Sequence, residues 1–117
     1  MKPVLILIDV QNEYVTPGRS FYLQGIKPSL EAAVRCLHHG REQQWEIIHV
    51  QHVIPGGKLF AASSKHVQFV PAFEPKKNEV VISKRLYSCY SNPKFVRLMD
   101  NYKDRQVYVV GYNSIMC

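Results

Sequence analysis

The chain has 117 residues, 46% of them hydrophobic and 21% charged, which is ordinary for a globular protein and is enough for one domain. Its 15 Lys and Arg against 9 Asp and Glu give a net charge of +6, but these residues are scattered, so we expect attraction of anionic substrates rather than nucleic-acid binding. The sequence has no apolar run long enough to span a membrane and no cleavable leader, and its three cysteines are irregularly spaced. We therefore predict a cytoplasmic protein with no membrane partner and no disulfide framework.

The first third of the sequence predicts a strand, a loop and a helix. Residues 3–9 form a nearly continuous apolar run, which is typical of a strand buried on both faces of a parallel sheet. Residues 10–28 contain two prolines and two glycines and are predicted to form a long loop. Ser29 is predicted to cap a helix that ends within residues 40–44. The apolar stripe of that helix consists of Leu30, Ala33, Val34 and Leu37.

The middle of the chain predicts two further strands around an irregular segment. Residues 46–53 are apolar and β-branched enough for the second strand, and residues 79–83 form the third. The segment 54–78 has no clean period, and a loop this long is usually a lid or an interface arm. Its aromatic residues Phe60, Phe69 and Phe73 offer apolar material for either role.

The last quarter predicts a helix and a fourth strand. Asn92 is an N-cap residue followed by Pro93 at the first helical position. The apolar stripe behind them consists of Phe95, Leu98, Met99 and Tyr102. Residues 106–110 are predicted to form the fourth strand, which Gly111 is expected to break.

Strands that alternate with helices predict an α/β protein: a three-layer αβα, Rossmann-like fold with a parallel sheet. Such a fold needs further β/α units after a fourth strand. We therefore expect residues 1–117 to be the N-terminal part of a single larger domain whose C-terminal part is missing. An end at that point would expose a strand edge and apolar helix faces.

Three reactive side chains follow three of the predicted strands. Asp9 ends the first strand, Lys84 follows the third, and Cys117 lies just past the fourth. Ligands of doubly wound sheets bind beyond the carboxyl ends of the strands. Taken singly, each residue has an ordinary explanation: a capping Asp, a solvated Lys and a small buried Cys. Their convergence on one edge of the sheet predicts a reactive site.

These residue types suit nucleophilic catalysis. A cysteine attacks as the thiolate, and its ordinary pKa of about 8.5 has to be lowered to act near neutral pH. A helix beginning at Cys117 and the ammonium of Lys84 would both favour the thiolate. Asp9 could take the thiol proton and later deliver it to a leaving group. Backbone N–H groups of residues 111–117 could bind an oxyanion.

With their neighbours, these residues resemble the isochorismatase-like cysteine hydrolases, a superfamily that includes the nicotinamidases. The matching stretches are residues 5–14 (LILIDVQNEY), 80–90 (VVISKRLYSCY) and 109–117 (VVGYNSIMC). The resemblance implies an Asp-Lys-Cys triad carried by Asp9, Lys84 and Cys117. It also implies a cis peptide at Tyr112–Asn113 and oxyanion donors in the amides of Asn113 and Cys117.

The same resemblance makes the aromatic residues after the lysine, Tyr87 and Tyr90, candidates for lining the substrate pocket, although ordinary packing is an equal alternative. Gln11 and its neighbour Asn12 lie beside the Asp and are expected either to reach the site or to cap a loop.

We expect no metal and no cofactor. Nicotinamidases carry a metal-binding Asp-x-His pair after the second strand, and residues 49–55 (HVQHVIP) lack the Asp and the matching His. His49, His52 and His66 could bind zinc in principle. However, residues three apart on a strand face opposite sides, so His49 and His52 should not chelate together. A second cluster, Cys36 with His38 and His39, has the wrong spacing for one helix face and is interpreted as ordinary helix surface or core.

The leading functional hypothesis is a metal-independent cysteine hydrolase that cleaves an amide C–N bond of a small molecule through a thioester on Cys117. The alternatives are vinyl-ether hydrolysis of the isochorismatase type, with Asp9 as the acid, and a non-catalytic oligomeric family member. The resemblance implies a homo-oligomer of two or more chains. The 117-residue chain alone is expected to have little activity, and its substrate specificity is expected to depend on the 54–78 loop and on further C-terminal residues.

Overall fold

The computed structural model describes residues 2–112. In this part of the chain four strands form one parallel sheet in the order β3-β2-β1-β4. They are β1 (Val4–Ile8), β2 (Glu46–His52), β3 (Val80–Lys84) and β4 (Val107–Gly111). The helices are α1 (Asn12–Val15), α2 (Lys27–Glu42) and α3 (Pro93–Asn101), with short 3-10 turns at Pro71–Phe73 and Cys89–Ser91.

Helices cover both faces of the sheet, which confirms the predicted three-layer α/β fold. The side chains of a strand alternate between its faces, and β1 is apolar throughout because both of its faces are covered. Val4 and Ile6 pack into the cluster that contains Phe95 of α3. Leu5 packs into the opposite cluster, which contains Leu37 of α2.

Helix α2 begins three residues earlier than predicted. It starts at Lys27 after the N-cap residue Ile26, and Pro28 lies in its first turn. Proline fits this position because its φ is already helical and its missing N–H would have no helical partner. The prediction that Ser29 caps the helix is therefore wrong: its side chain shares a 2.7 Å hydrogen bond with the Tyr112 hydroxyl.

Helix α3 confirms its predicted cap. The Asn92 side chain accepts a 2.8 Å hydrogen bond from the Lys94 amide, which satisfies one of the free N–H groups of the first turn. Its amide group also donates to the Ser83 carbonyl at 2.7 Å. The cap therefore ties the start of α3 to the end of β3, and Phe95 is buried against the sheet.

The two predicted loops contain local structure that the sequence pattern did not show. The 10–28 segment includes the single turn of α1, in which Thr16 donates both its amide and its hydroxyl to the Asn12 carbonyl. In the 54–78 segment Phe60 and Phe73 are 6% and 1% exposed. These two rings pack into the chain's own core, and the lid or interface role of the segment stays a prediction.

Strand β4 runs through Gly111 instead of ending before it, and this glycine has a steric role. A Cβ at this position would collide with the carbonyl oxygen of Ile8, its pairing partner in β1. Within residues 2–112 β4 is at one edge of the sheet, and its residue Val109 is 62% exposed. No helix within residues 2–112 is long and apolar enough to cross a membrane.

Candidate active site

Asp9 lies directly after β1, buried at the carboxyl edge of the sheet. Its backbone has φ 59°, a left-handed conformation that Asp tolerates better than most residues. Its amide donates to the Val50 carbonyl at 2.9 Å, which extends the β1–β2 pairing by one step. The side chain is completely buried, and within residues 2–112 its Oδ1 atom has no hydrogen-bond partner. One carboxylate oxygen is thus left open for a proton or a ligand.

Lys84 is the last residue of β3, and its side chain is also completely buried. Its Nζ lies 3.4 Å from Oδ2 of Asp9, 3.1 Å from Nδ1 of His52 and 3.4 Å from the Leu86 carbonyl oxygen. An ammonium has three N–H donors and no acceptor. Each of its hydrogens therefore has one partner, and the Asp9–Lys84 pair predicted from the strand ends is confirmed as a contact.

His52 also lies at this centre, although its sequence position suggested only a possible metal ligand. It ends β2 and is the register partner of Lys84 on β3, so the two side chains lie next to each other on one face. Because the ammonium can only donate, Nδ1 of His52 must accept, which leaves the ring proton on Nε2. Burial lowers the pKa of His52, and the Lys84 charge lowers it further although Asp9 opposes this. The imidazole is therefore neutral near pH 7.

Gln11 has a structural position beside the site. Its amide nitrogen donates to the carbonyls of His52 and Val67 at 2.9 and 2.7 Å, and its oxygen accepts from the His52 amide at 2.9 Å. The side chain is fully buried and joins the end of β2 to the following loop. A contact between Gln11 and substrate stays a prediction.

The two predicted pocket tyrosines occupy different surroundings. The Tyr87 ring is 49% exposed and stacks on the His52 ring at 6.0 Å with an interplanar angle of 15°. Phe60 meets the same imidazole edge-on at 4.8 Å. Tyr90 is 63% exposed and packs edge-on against Phe95 of α3. Tyr87 thus borders the Asp9–Lys84 centre through His52, whereas Tyr90 borders α3.

The predicted nucleophile Cys117, the oxyanion donor Asn113 and the Tyr112–Asn113 peptide lie outside the described residues. The described chain ends at Tyr112, whose amide donates to the Ile8 carbonyl at 3.2 Å. The end of β4 thus lies next to the residue that precedes Asp9.

The two cysteines within residues 2–112 lack the environment of a nucleophile. Cys89 is 5% exposed in the apolar cluster under α3. Burial raises the pKa of the Cys89 thiol above its ordinary value, Lys84 acts to lower it, and Asp9 acts to raise it. Cys36 packs partly buried against the cluster under α2, as expected for ordinary helix packing.

The histidines do not form a metal site in the described part of the chain. His49 and His52 point to opposite faces of β2, as the strand period predicts. His49 Nε2 lies 2.8 Å from Oε1 of Glu79, a carboxylate that also pairs with Arg41 at 2.7 Å. No group of three His, Cys, Asp or Glu side chains within residues 2–112 could hold a metal ion.

Comparison with known proteins places the chain in a family. A model of the isochorismatase domain matches residues 3–117. The chain belongs to the isochorismatase family. A crystal structure of an isochorismatase from Pseudomonas putida KT2440 superposes with a TM-score of 0.87 at 29% identity, over 97% of this chain and 58% of that one.

Two curated relatives align with nearly the whole chain. The isochorismatase family protein YddQ of Bacillus subtilis is 26% identical over 100% of this chain and 66% of its own length. The maleamate amidohydrolase of Pseudomonas putida is 25% identical over 99% of this chain and 62% of its own length. The chain therefore spans less than two thirds of the length of each of these two relatives.

Proposed function

We propose that the protein is a metal-independent cysteine hydrolase that cleaves an amide C–N bond in a small molecule, with Cys117 as the nucleophile. The observation that carries the proposal is the buried Asp9–Lys84 pair. One oxygen of Asp9 lies against Lys84, while the other is buried with no partner in the described chain. A carboxylate so placed can exchange a proton with a reacting group while the ammonium stabilises negative charge beside it.

In the proposed reaction, Asp9 takes the proton from the Cys117 thiol and the sulfur attacks the amide carbonyl carbon. The tetrahedral intermediate collapses as the C–N bond breaks, and Asp9 returns its proton to the nitrogen, so that ammonia or an amine leaves. The product of this half-reaction is a thioester on Cys117. Water then attacks the thioester, Asp9 accepts a proton from it, and that proton returns to the departing thiolate. The carboxylic acid is released, and the thiol and Asp9 return to their starting states.

The ammonium of Lys84 has an electrostatic role in these steps. Its nitrogen lies 3.1–3.4 Å from three acceptor atoms, and in the proposed reaction Asp9 rather than Lys84 moves the proton. Its charge favours a thiolate and an oxyanion over their neutral forms, and burial strengthens that effect because little water screens it.

The name of one relative supports an amide as the bond broken. The maleamate amidohydrolase is named for a primary amide that also carries a carboxylate. The +6 charge of this chain suits an anionic substrate of that kind.

Ammonia release from a panel of small primary amides, with and without a second carboxylate, tests the proposal. Cys117→Ala and Asp9→Asn should each lower kcat/KM by at least a hundredfold, since each removes a group that reacts directly. Cys36→Ala, on the remote helix α2, is the matched control and should retain activity. Intact mass after a rapid acid quench should show an acyl adduct on Cys117. Full turnover by Cys117→Ala would refute the thioester route.

A further inference from the structure

The ammonium of Lys84 makes its shortest contact with a neutral group. Nζ lies 3.1 Å from Nδ1 of His52, against 3.4 Å from both Asp9 and the Leu86 carbonyl. A hydrogen bond weakens as its length increases, and 3.4 Å is beyond the usual range for N–H···O. The carboxylate attracts the ammonium by charge, but the imidazole provides the better-formed hydrogen bond. The direction in which the ammonium points is therefore set largely by His52.

We propose that His52 is a positioning residue that fixes the Lys84 ammonium against Asp9 by accepting its hydrogen bond at Nδ1. This inference rests on the proposed function, because the fixed ammonium serves the site that contains Asp9 and Cys117. A lysine side chain has a flexible four-carbon stem, so its ammonium has little intrinsic preference for one orientation. With three acceptors around it, the ammonium has a single orientation that satisfies every hydrogen.

His52 is itself held firmly enough for this role. Its amide and carbonyl both bond to the buried Gln11 side chain, which fixes the backbone at the end of β2. Phe60 meets the ring edge-on and Tyr87 stacks over it, which restricts rotation of the imidazole. The parallel register then places His52 beside Lys84 on the adjacent strand. Backbone, ring and register all fix the position of the acceptor atom.

The alternative is an ordinary core histidine that contributes only packing. One feature of the ring argues against it. Its hydrogen bond within residues 2–112 goes to Lys84, at the Asp9–Lys84 centre. His49, the other buried histidine of β2, instead bonds to Glu79 on the opposite face. Of these two histidines, only His52 contacts the Asp9–Lys84 centre.

Three substitutions of one residue separate these roles. His52→Ala removes the acceptor, and we expect kcat on the amide substrate to fall about ten- to a hundredfold, as for loss of a hydrogen bond to a charged group, with little change in KM. His52→Asn places an amide oxygen near the former Nδ1 and should restore most of that loss. His52→Gln places its amide near the former Nε2 and should not. His49→Gln, which keeps a donor for Glu79, is the matched control and should leave kcat unchanged.

A second measurement uses the wild-type protein and needs no substrate. Two-dimensional NMR of ¹⁵N-labelled histidine rings at neutral pH should show His52 with its proton on Nε2 and an unprotonated, hydrogen-bonded Nδ1. A proton on Nδ1 of His52 would overturn the inference even if every variant were unstable.

The outcomes keep the two proposals apart. Loss of activity in Asp9→Asn with full activity in His52→Ala would overturn the positioning role and leave the proposed function intact. Rescue by Gln instead of Asn would also overturn it, because Nε2 would then be the important atom. If Cys117→Ala is fully active, the proposed function fails, and the NMR result alone decides whether His52 fixes Lys84.

Discussion

Replacing Lys84 by Met would remove the cation from a pair in which neither side chain is exposed. The Asp9 carboxylate would then be buried with no compensating charge and with one oxygen already lacking a partner in the described chain. Breaking a buried ion pair in this way costs about 3–5 kcal/mol. That is a large fraction of the roughly 5–15 kcal/mol that stabilises an ordinary domain. Lys84→Met should therefore move the urea midpoint far toward zero denaturant.

The double variant Asp9→Asn with Lys84→Met gives the sharper test. It leaves no buried charge at this centre, so its free energy of unfolding should lie within about 2 kcal/mol of wild type, above that of Lys84→Met alone. Fluorescence of Trp45, the only tryptophan, which stacks on Tyr108, can follow the unfolding. Purely additive effects, or a cost below about 1 kcal/mol for Lys84→Met, would refute the buried pair. If the single variant does not fold and the double variant does, the coupling is confirmed.

Three further predictions concern the scaffold. Phe95→Ala should lower the free energy of unfolding by about 3–5 kcal/mol in urea titrations, whereas Tyr90→Ala, 63% exposed, should cost much less. Gly111→Ala should cost about 1–3 kcal/mol by the same assay, because its Cβ collides with the Ile8 carbonyl; a cost no larger than that of exposed Val109→Ala would contradict the β1–β4 register. Burial acts to raise the pKa of Glu79, but hydrogen bonds from the Arg41 side chain, the Lys76 amide and His49 outweigh it and lower that pKa from 4.5 to about 2. The stability from this carboxylate is thus complete above about pH 4.5 and is lost as the pH falls toward 2. Glu79→Gln should make the urea midpoint less dependent on pH over that range. An unchanged dependence of the midpoint on pH would rule out the Arg41 pairing.

Much of the fold could be predicted because its signals are local. An apolar run such as residues 3–9 indicates a buried strand whatever its neighbours are, and Asn92 followed by Pro93 indicates a helix start. The misses have local causes as well. The turn α1 is too short to show a helical period, and Pro28 in the first turn moved the start of α2 ahead of Ser29.

From the sequence, the site could be predicted only for residues that follow the ends of predicted strands. Asp9 and Lys84 were identified because parallel strands bring their carboxyl ends to one edge, and the structure confirms their contact. The role of His52 depends on the register between β2 and β3, which pairs it with Lys84 and which no linear pattern specifies. A signal was present, since His52 is also a polar residue at the end of a strand. The positions of Asn113 and Cys117 and the homo-oligomeric state stay predictions.

The reactivity of Cys117 tests the central claim most directly. Site-resolved iodoacetamide labelling against pH, read by mass spectrometry, compares it with Cys36 and the buried Cys89 in one sample. Urea-unfolded protein, in which all three thiols should react alike, provides the control. The account predicts that Cys117 labels fastest, with an apparent pKa well below the ordinary value of about 8.5, and that Cys89 labels slowest. Equal rates for all three in the native protein, or an inert Cys117, would contradict it.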